Sequence, residues 1–396
     1  MNHNPFSLEV NQRSEGFVLH VGSLAAVLST LHDRRHARGL RYRLVVVLIF
    51  IVLAKLCGED HLRGIAQWIG LRKDALATAL GLARPQAPHA STYGRVLAHG
   101  VCIEQFEQVV GQFLAEQQCG RGNTVVSLDG KTLRATIPAG QSHGLHLLAA
   151  YLPNEGLVLL QVEVGSHENE IPAAMRVVKC IDLRGKVVTG DAMLAQRELS
   201  AQIVEAGGEY LWKVKRNQTQ LLQDIKDLFA PESCVPGFSP CHKDFRSVTT
   251  HDKGHGRIET RKLTASSMLK GFLDWPYAEQ VFCLERRSVR VQDGKVTREI
   301  TYGVTSLTAR EADPARLLEI TRGHWGIENG LHYRRDETLR EDRCRLKGHG
   351  AQMMAAINNL VLGLLLPRGV RNVPDARRYY AANPQDAVAL VMGCPV

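Results

Sequence analysis

The sequence predicts an α/β fold: a mixed β-sheet flanked by helices, preceded by a helical domain and interrupted by a strand-rich insertion. Three observations lead there. The first 120 residues place apolar side chains at helical spacing. From residue 121, three strand patterns follow one another, and helix and strand patterns then alternate, which calls for a mixed sheet covered by helices. Between about 217 and 305 that alternation gives way to strands and turns.

Each element has its own signal. "GSLAAVLSTLHDRRH", "HLRGIAQWIGLRKDALATALG" and "IEQFEQVVGQFLAEQQ" carry helical periodicity. The run Leu44 to Ala54, "LVVVLIFIVLA", is 11 residues between Arg43 and Lys55. Crossing a bilayer takes about 20, so it reads as a buried core helix. "ARPQAPHAS" is a loop leading into the helix "TYGRVLA". "TVVSLDG" is a strand, and "HLLAAYLPNEGLVLLQVEV" is two strands around a Pro-Asn-Glu-Gly turn. Then come "IPAAMRVVKCIDL" (helix), "KVVTGDAM" (strand), "AQRELSAQIVEAG" (helix) and "EYLWKVKR" (strand). "APESCVPGFSPCHK" is turn-rich. "RSVTTHDKGHGRIETRKLTAS", "QVFCLERRSVRV" and "REITYGVTSLT" supply further strands, with a hairpin turn at "QDGK". Helices return at "PARLLEITRGHW", through residues 322–347, and at "QMMAAINNLVLGLLL". The expected organisation is a helical domain at 1–120, a core in two parts at 121–216 and 306–366, the insertion at 217–305, and a tail at 367–396.

Composition narrows the function. Lys and Arg outnumber Asp and Glu by 49 to 40, for a net charge of +9. A basic protein suits a polyanion partner, because its side chains release counterions condensed on phosphates. The nine cysteines contain no CxxC pair, and Cys234, Cys241 and His242 do not match a zinc spacing. Reduced thiols in a cytoplasmic protein are expected. "MNHNPFSLEVNQRSEG" lacks the apolar segment of a signal peptide.

The carboxylates are more specific. "VVSLDG" delivers Asp129 and "VVTGDA" delivers Asp191, each after an apolar strand. One strand-end Asp often only makes a turn or caps a helix. Two on neighbouring strands repel each other unless a cation lies between them, and oxygen ligands suit Mg²⁺ in a two-metal arrangement. "DGKT" at 129–132 is not a phosphate loop, since position 125 is Val where that motif needs Gly. A third acid comes from "RGHWGIENGLHYRRDETLREDRCRLK". On an α-helix His324, Glu328, His332 and Arg335 share one stripe, with Ile327 and Leu331 nearer the core. Zinc at His324, Glu328 and His332 is disfavoured, because the first His lacks an adjacent Glu. A surface helix of solvated ion pairs is the plain alternative for this stretch. Trp212 alternates with Tyr210 and Val214 and reads as core.

Together "LDGKTLR", "GDAMLAQREL" and "RGHWGIENGLHYRRD" resemble the three signature blocks of a DDE-type insertion-sequence transposase of the H-repeat-associated branch. The segment "HDRRHARGLRYRLVVVLIFIVLAKLCGEDHLRGIAQWIG" resembles the helical domain that precedes the catalytic domain there, so the similarity runs from about residue 22 to 366. The resemblance implies an RNase H-like core and assigns catalysis and metal binding to Asp129, Asp191 and Glu328. It implies Mg²⁺, with Mn²⁺ as a substitute, phosphodiester cleavage, and strand transfer at insertion-sequence ends. The implied partners are terminal inverted repeats, target DNA, and a second copy of the chain in a synaptic complex, with no membrane. The implied location is the bacterial cytoplasm at the nucleoid. The broader superfamily flanks the glutamate with Tyr, Arg and Lys, and those positions here hold Thr321, His324 and Arg335. Expected DNA contacts are Lys131, Arg134, Lys213, Lys215, Arg216, Arg257, Arg261, His324 and Arg335. A catalytically silent DNA-binding protein and a structure-selective nuclease on the same fold are the alternatives.

Overall fold

Nine strands form one mixed sheet in the order β3-β2-β1-β4-β5-β9-β8-β7-β6. The computed structural model describes residues 22–36, 40–116, 124–230 and 244–393. The N-terminal stretch read for a signal peptide, and Cys234, Cys241 and His242, lie outside the described residues. Strands β1 (Thr124–Thr132), β2 (His146–Leu152) and β3 (Leu157–Glu163) form the expected antiparallel meander. Strands β4 (Lys186–Gly190) and β5 (Glu209–Val214) add parallel to β1. The paired parts of β1 and β4 are nearly all buried, as parallel strands covered on both faces must be.

Beyond β5 the same sheet continues through a second antiparallel meander: β6 (Arg246–Gly254), β7 (Arg257–Ser266), β8 (Gln280–Arg290) and β9 (Val296–Thr305). Strand β9 pairs antiparallel with β5. The expected hairpin turn joins β8 to β9, with Gly294 in the left-handed region at φ 67°.

The helices before the sheet are α1 (Leu24–Ser29), α2 (Leu44–Leu56), α3 (Leu62–Ala79), α4 (Ala90–Arg95) and α5 (Ile103–Glu116). Every side chain of α2 is buried, as its apolar run predicts, and its Lys55 is held by Asp60 at 3.2 Å. Helices α6 (Glu170–Cys180), α7 (Arg197–Glu205) and α8 (Thr219–Phe229) follow β3, β4 and β5, and α9 (Pro314–Gly323) follows β9. The long apolar helix α10 (Gly348–Leu365) packs on α5, β3 and α2. It is long enough to cross a bilayer by composition, but 89% of its apolar window is buried inside the molecule. The stretch read as a tail holds two helices, α11 (Val373–Ala382) and α12 (Pro384–Met392), both packed on α2.

The charged stretch 322–347 departs from a regular α-helix. After α9 a turn at His324 leads into two π-turned segments, Glu328–His332 and Arg334–Thr338, then a short 3₁₀ turn at Glu341–Arg343. Bonding from residue i to i+5 adds a residue to each turn. Residues spaced four, four and three apart therefore do not stay on one stripe.

Candidate active site

The register of the sheet sets two of the acids side by side. Pairing of β1 with β4 ends at Leu128 opposite Gly190, so Asp129 and Asp191 are the next residues on adjacent parallel strands. Their side chains share the face of Ser127 and Thr189, whose buried hydroxyls lie 3.3 Å apart. Thr189 Oγ1 is in turn 3.4 Å from His324 Nδ1, which ties the end of α9 to this face. The segment after α9 brings Glu328 to it. Asp129, Asp191 and Glu328 line one cavity of about 680 Å³.

Asp129 is gripped from the Glu328 segment. The ring of His332 is buried, and its Nε2 lies 3.1 Å from Asp129 Oδ2. One ligand atom from each of Asp129, Glu328 and His332 falls within 4.8 Å of the others, a spacing that one divalent ion spans. Asp191 behaves partly as a strand-end cap, accepting the Ala192 amide at 2.7 Å. Burial pushes its carboxyl up, but that amide and Lys215, 3.4 Å away, outweigh burial, and the net shift is downward. Asp191 therefore stays ionised and exposed.

The other expected site residues divide. Lys213, Lys215, Arg261 and His324 line the cavity. Lys213 sits over the exposed Trp325 ring, 5.7 Å from its centroid. Its pKa is lowered by burial and by Lys215, against the pull of Asp191 and Glu299. Arg261 is half-buried and shared between Asp252, at 2.5 Å, and Glu259. Arg134 is exposed, its side chain 3.8 Å from Asp342, which also accepts its backbone amide at 3.3 Å. Arg216 and Arg257 are exposed and outside the cavity lining.

Three expected DNA cations need correction. Burial, with Lys213 nearby, drives the His324 pKa down to about 4, so the ring is neutral and stands in for no Arg charge. Lys131 is largely covered and engaged with Asp336 at 2.6 Å. Arg335 is fully buried and paired with Glu341 at 2.8 Å, so it offers no charge to a phosphate. The π-turned winding carries it under the helix. Asp336 thus partners Lys131 and Glu341 partners Arg335, while Asp342 partners Arg134, in keeping with structural roles. Trp212 is core, its Nε1 donating to Ser200 Oγ at 2.9 Å.

Sequence reasoning missed two features. His332 was grouped with His324 rather than with Asp129, and only the packing of the segment across β1 reveals that contact. One wall of the cavity comes from the insertion, through Leu284 and Arg286 of β8 and Glu299 and Thr301 of β9. Strand pattern alone did not show that the insertion extends the sheet past the site.

Comparison with known proteins agrees with this architecture. A model described as "Transposase DDE domain" matches residues 120–364, and one described as "DDE_Tnp_1-associated" matches residues 25–114. The "H repeat-associated putative transposase YhhI" of Escherichia coli K12 is 25% identical over 376 residues, covering 90% of this chain and 96% of its own. YncI of E. coli O157:H7, named as a transposase, is 27% identical over 352 residues, covering 87% of each chain. An uncharacterised protein of Xanthobacter autotrophicus is 30% identical over 281 residues, 70% of this chain and 91% of its own. Among solved structures, a piggyBac transposase synaptic complex with hairpin DNA aligns at a TM-score of 0.41 and 11% identity, covering 94% of this chain and 77% of that one. With three acids lining one cavity of the mixed sheet and the family match running from 120 to 364, the chain belongs to the transposases with a DDE domain.

Proposed function

We propose that the protein cleaves and joins DNA at the ends of an insertion sequence, with Asp129, Asp191 and Glu328 holding two divalent ions. The convergence of these three carboxylates on one cation-rimmed cavity carries the reading. The donor set fits: hard carboxylate oxygens suit Mg²⁺ or Mn²⁺, and the ions, when bound, activate a water or 3′-hydroxyl and stabilise the leaving oxygen. His332 holds Asp129 in one orientation by an N–H from its ring. The Ala192 amide and Lys215 keep Asp191 ionised and fit to hold a metal, and Lys215 would also meet a phosphate at the cavity rim. Lys213, partly desolvated against Trp325, is a fixed charge for the scissile strand.

The insertion supplies a path for the rest of the duplex. Arg261 and Arg286 are cross-strand partners on the face that lines the cavity, and Arg257 and Arg290 are partners farther along it. Like charges set directly opposite destabilise a sheet unless an anion lies between them. Glu259 does this for the inner pair. In the outer pair, about 13 Å farther along the strands, Asp293 holds Arg290 at 3.0 Å, and exposed Arg257 is the cation we infer to meet a DNA phosphate. Arg134 and Arg216 would add further backbone contacts. Joining two ends requires two copies of the chain, and the substrate places the protein at the bacterial nucleoid.

The test is nicking and strand transfer on a labelled end duplex with Mg²⁺. Asp129→Asn and Glu328→Gln should lose activity by at least about 10³-fold while still binding the duplex. Full activity in either variant would remove the site. Equal binding of random DNA at matched salt would favour a nuclease without end specificity.

A further inference from the structure

The segment that carries Glu328 borders two cavities. One flank meets the candidate active site, and the other meets a separate groove of about 910 Å³. Asn329, Tyr333, Arg334, Glu337, Thr338 and Arg340 form one bank of that groove, and α11 with the residues before it forms the other.

The charge of the groove is unbalanced. Arg334, Arg340, Arg371 and Arg378 line it, with Glu337 as the exposed acid, and of these arginines Arg378 is engaged by Asp375. Asp60, deeper in, is already claimed by Lys55 at 3.2 Å and Arg377 at 2.8 Å. Arg340 and Arg371 are exposed and have no acid partner among the described residues. Tyr333 stands beside them, 61% exposed.

Arg340 is also held in a backbone conformation that side chains rarely adopt, at φ 50° and ψ 39°. Such a conformation persists only where its surroundings impose it. Buried Leu339 and Glu341 on either side do so here, and they leave the Arg340 side chain outside.

We propose that this groove is a second DNA-binding site, taking the phosphodiester backbone of the strand that runs on from the scissile position, with Arg340 and Arg371 as its phosphate contacts. The proposal rests on the DNA-cleaving reading above. Arg340 follows Glu328 by 12 residues on the same coiled segment, which keeps the two within a distance on the order of 20 Å. That span is about six nucleotides at 3.4 Å each. A strand leaving the active site crosses the Glu328 segment to reach the groove, and exposed Tyr333 gives it an aromatic face to lie against.

The experiment compares the full chain with the double variant Arg340→Asn, Arg371→Gln. Asn tolerates the left-handed backbone at 340, and neither arginine has an acid partner among the described residues to orphan. Binding of fluorescein-labelled end duplexes is followed by anisotropy across a KCl series. One duplex extends ten base pairs past the cleavage position on both sides, and two others are cut to three on one side or the other. For the long duplex the slope of log K against log salt should be shallower by about 1.8 in the variant, at about 0.9 per lost contact. One of the shortened duplexes should bind wild type and variant alike. An unchanged slope with tight wild-type binding overturns the groove while leaving the DNA reading intact. Failure of the wild type to bind any of the duplexes overturns both.

Discussion

A carboxylate that accepts an N–H from a buried ring has fewer orientations open to it than one in water, and a metal site gains from that restriction. Asp129 is in this position, with His332 Nε2 at 3.1 Å and the imidazole packed out of solvent. The other ring nitrogen, Nδ1, is buried without a partner among the described residues, so the Nε2 contact is the ring's one polar tie and it goes to Asp129. His332→Ala should therefore weaken Mn²⁺ binding by about 10- to 100-fold, read from loss of the free-ion signal by electron paramagnetic resonance. His332→Gln, which keeps an N–H, should lie closer to wild type. Identical titrations for all three proteins would mean that the ring does nothing for Asp129. Asp129 and Asp191 were legible in the sequence because each ends an apolar strand pattern, and parallel pairing makes such ends adjacent. The partner of Asp129 was not legible. It lies 203 residues away, and its side of the helix depends on a winding that sequence spacing does not report.

At the scale of elements, the π-turned segment decides which of its side chains reach the cavity. Glu328 lies between buried Ile327 and Leu331 and lines the cavity with Asp129 and Asp191. Arg335 was placed on the same face by α-helical arithmetic and is instead under the helix. Two glycines let the segment lie this close to the sheet. A Cβ at Gly326 would stand 2.7 Å from Pro153 Cβ, and one at Gly330 would stand 2.6 Å from the Tyr151 hydroxyl. Tyr151 is itself buried in the core, so it has little room to yield. Gly330→Ala should thus lift the segment and misplace Glu328. Cleavage is expected to fall by about 10²-fold, the effect of a displacement near 1 Å. The urea midpoint should change little, because alanine favours a helix over glycine by about 1 kcal/mol. Wild-type cleavage by this variant would show that the close approach is not needed. The four-residue spacing of the two glycines was visible in the sequence, but their neighbour Pro153 comes from the β2–β3 turn, which only the tertiary structure supplies.

Across the whole molecule, one buried polar network joins the helical layer to the acid-bearing segment. Arg335 Nη1 donates to Gln161 Oε1 of β3 at 2.7 Å, and Asn358 of α10 donates to Glu341 at 2.8 Å. Asn359 of α10 also donates to Gln161, at 3.2 Å, and Gln161 reaches Glu107 of α5 at 3.5 Å. Glu107 is the weak point of this chain of contacts. Burial pushes its pKa up from 4.5 to about 8, against the opposing charge of Arg335 and a hydrogen bond from Gln161. Near neutral pH the folded protein thus holds a proton on Glu107 that the unfolded chain releases. The native state binds more protons than the unfolded state between pH 4.5 and 8, so stability falls as pH rises through that window, with a slope approaching about 1.4 kcal/mol per pH unit. Below pH 4.5 both states are protonated and the slope vanishes. Glu107→Gln keeps the shape and removes the titration. Urea unfolding at pH 5 and pH 8 should show wild type losing roughly 2–4 kcal/mol relative to the variant. Parallel pH profiles for the two proteins would mean that Glu107 is ionised in the fold, and that Arg335 is shared between Glu341 and a second anion across the layer boundary.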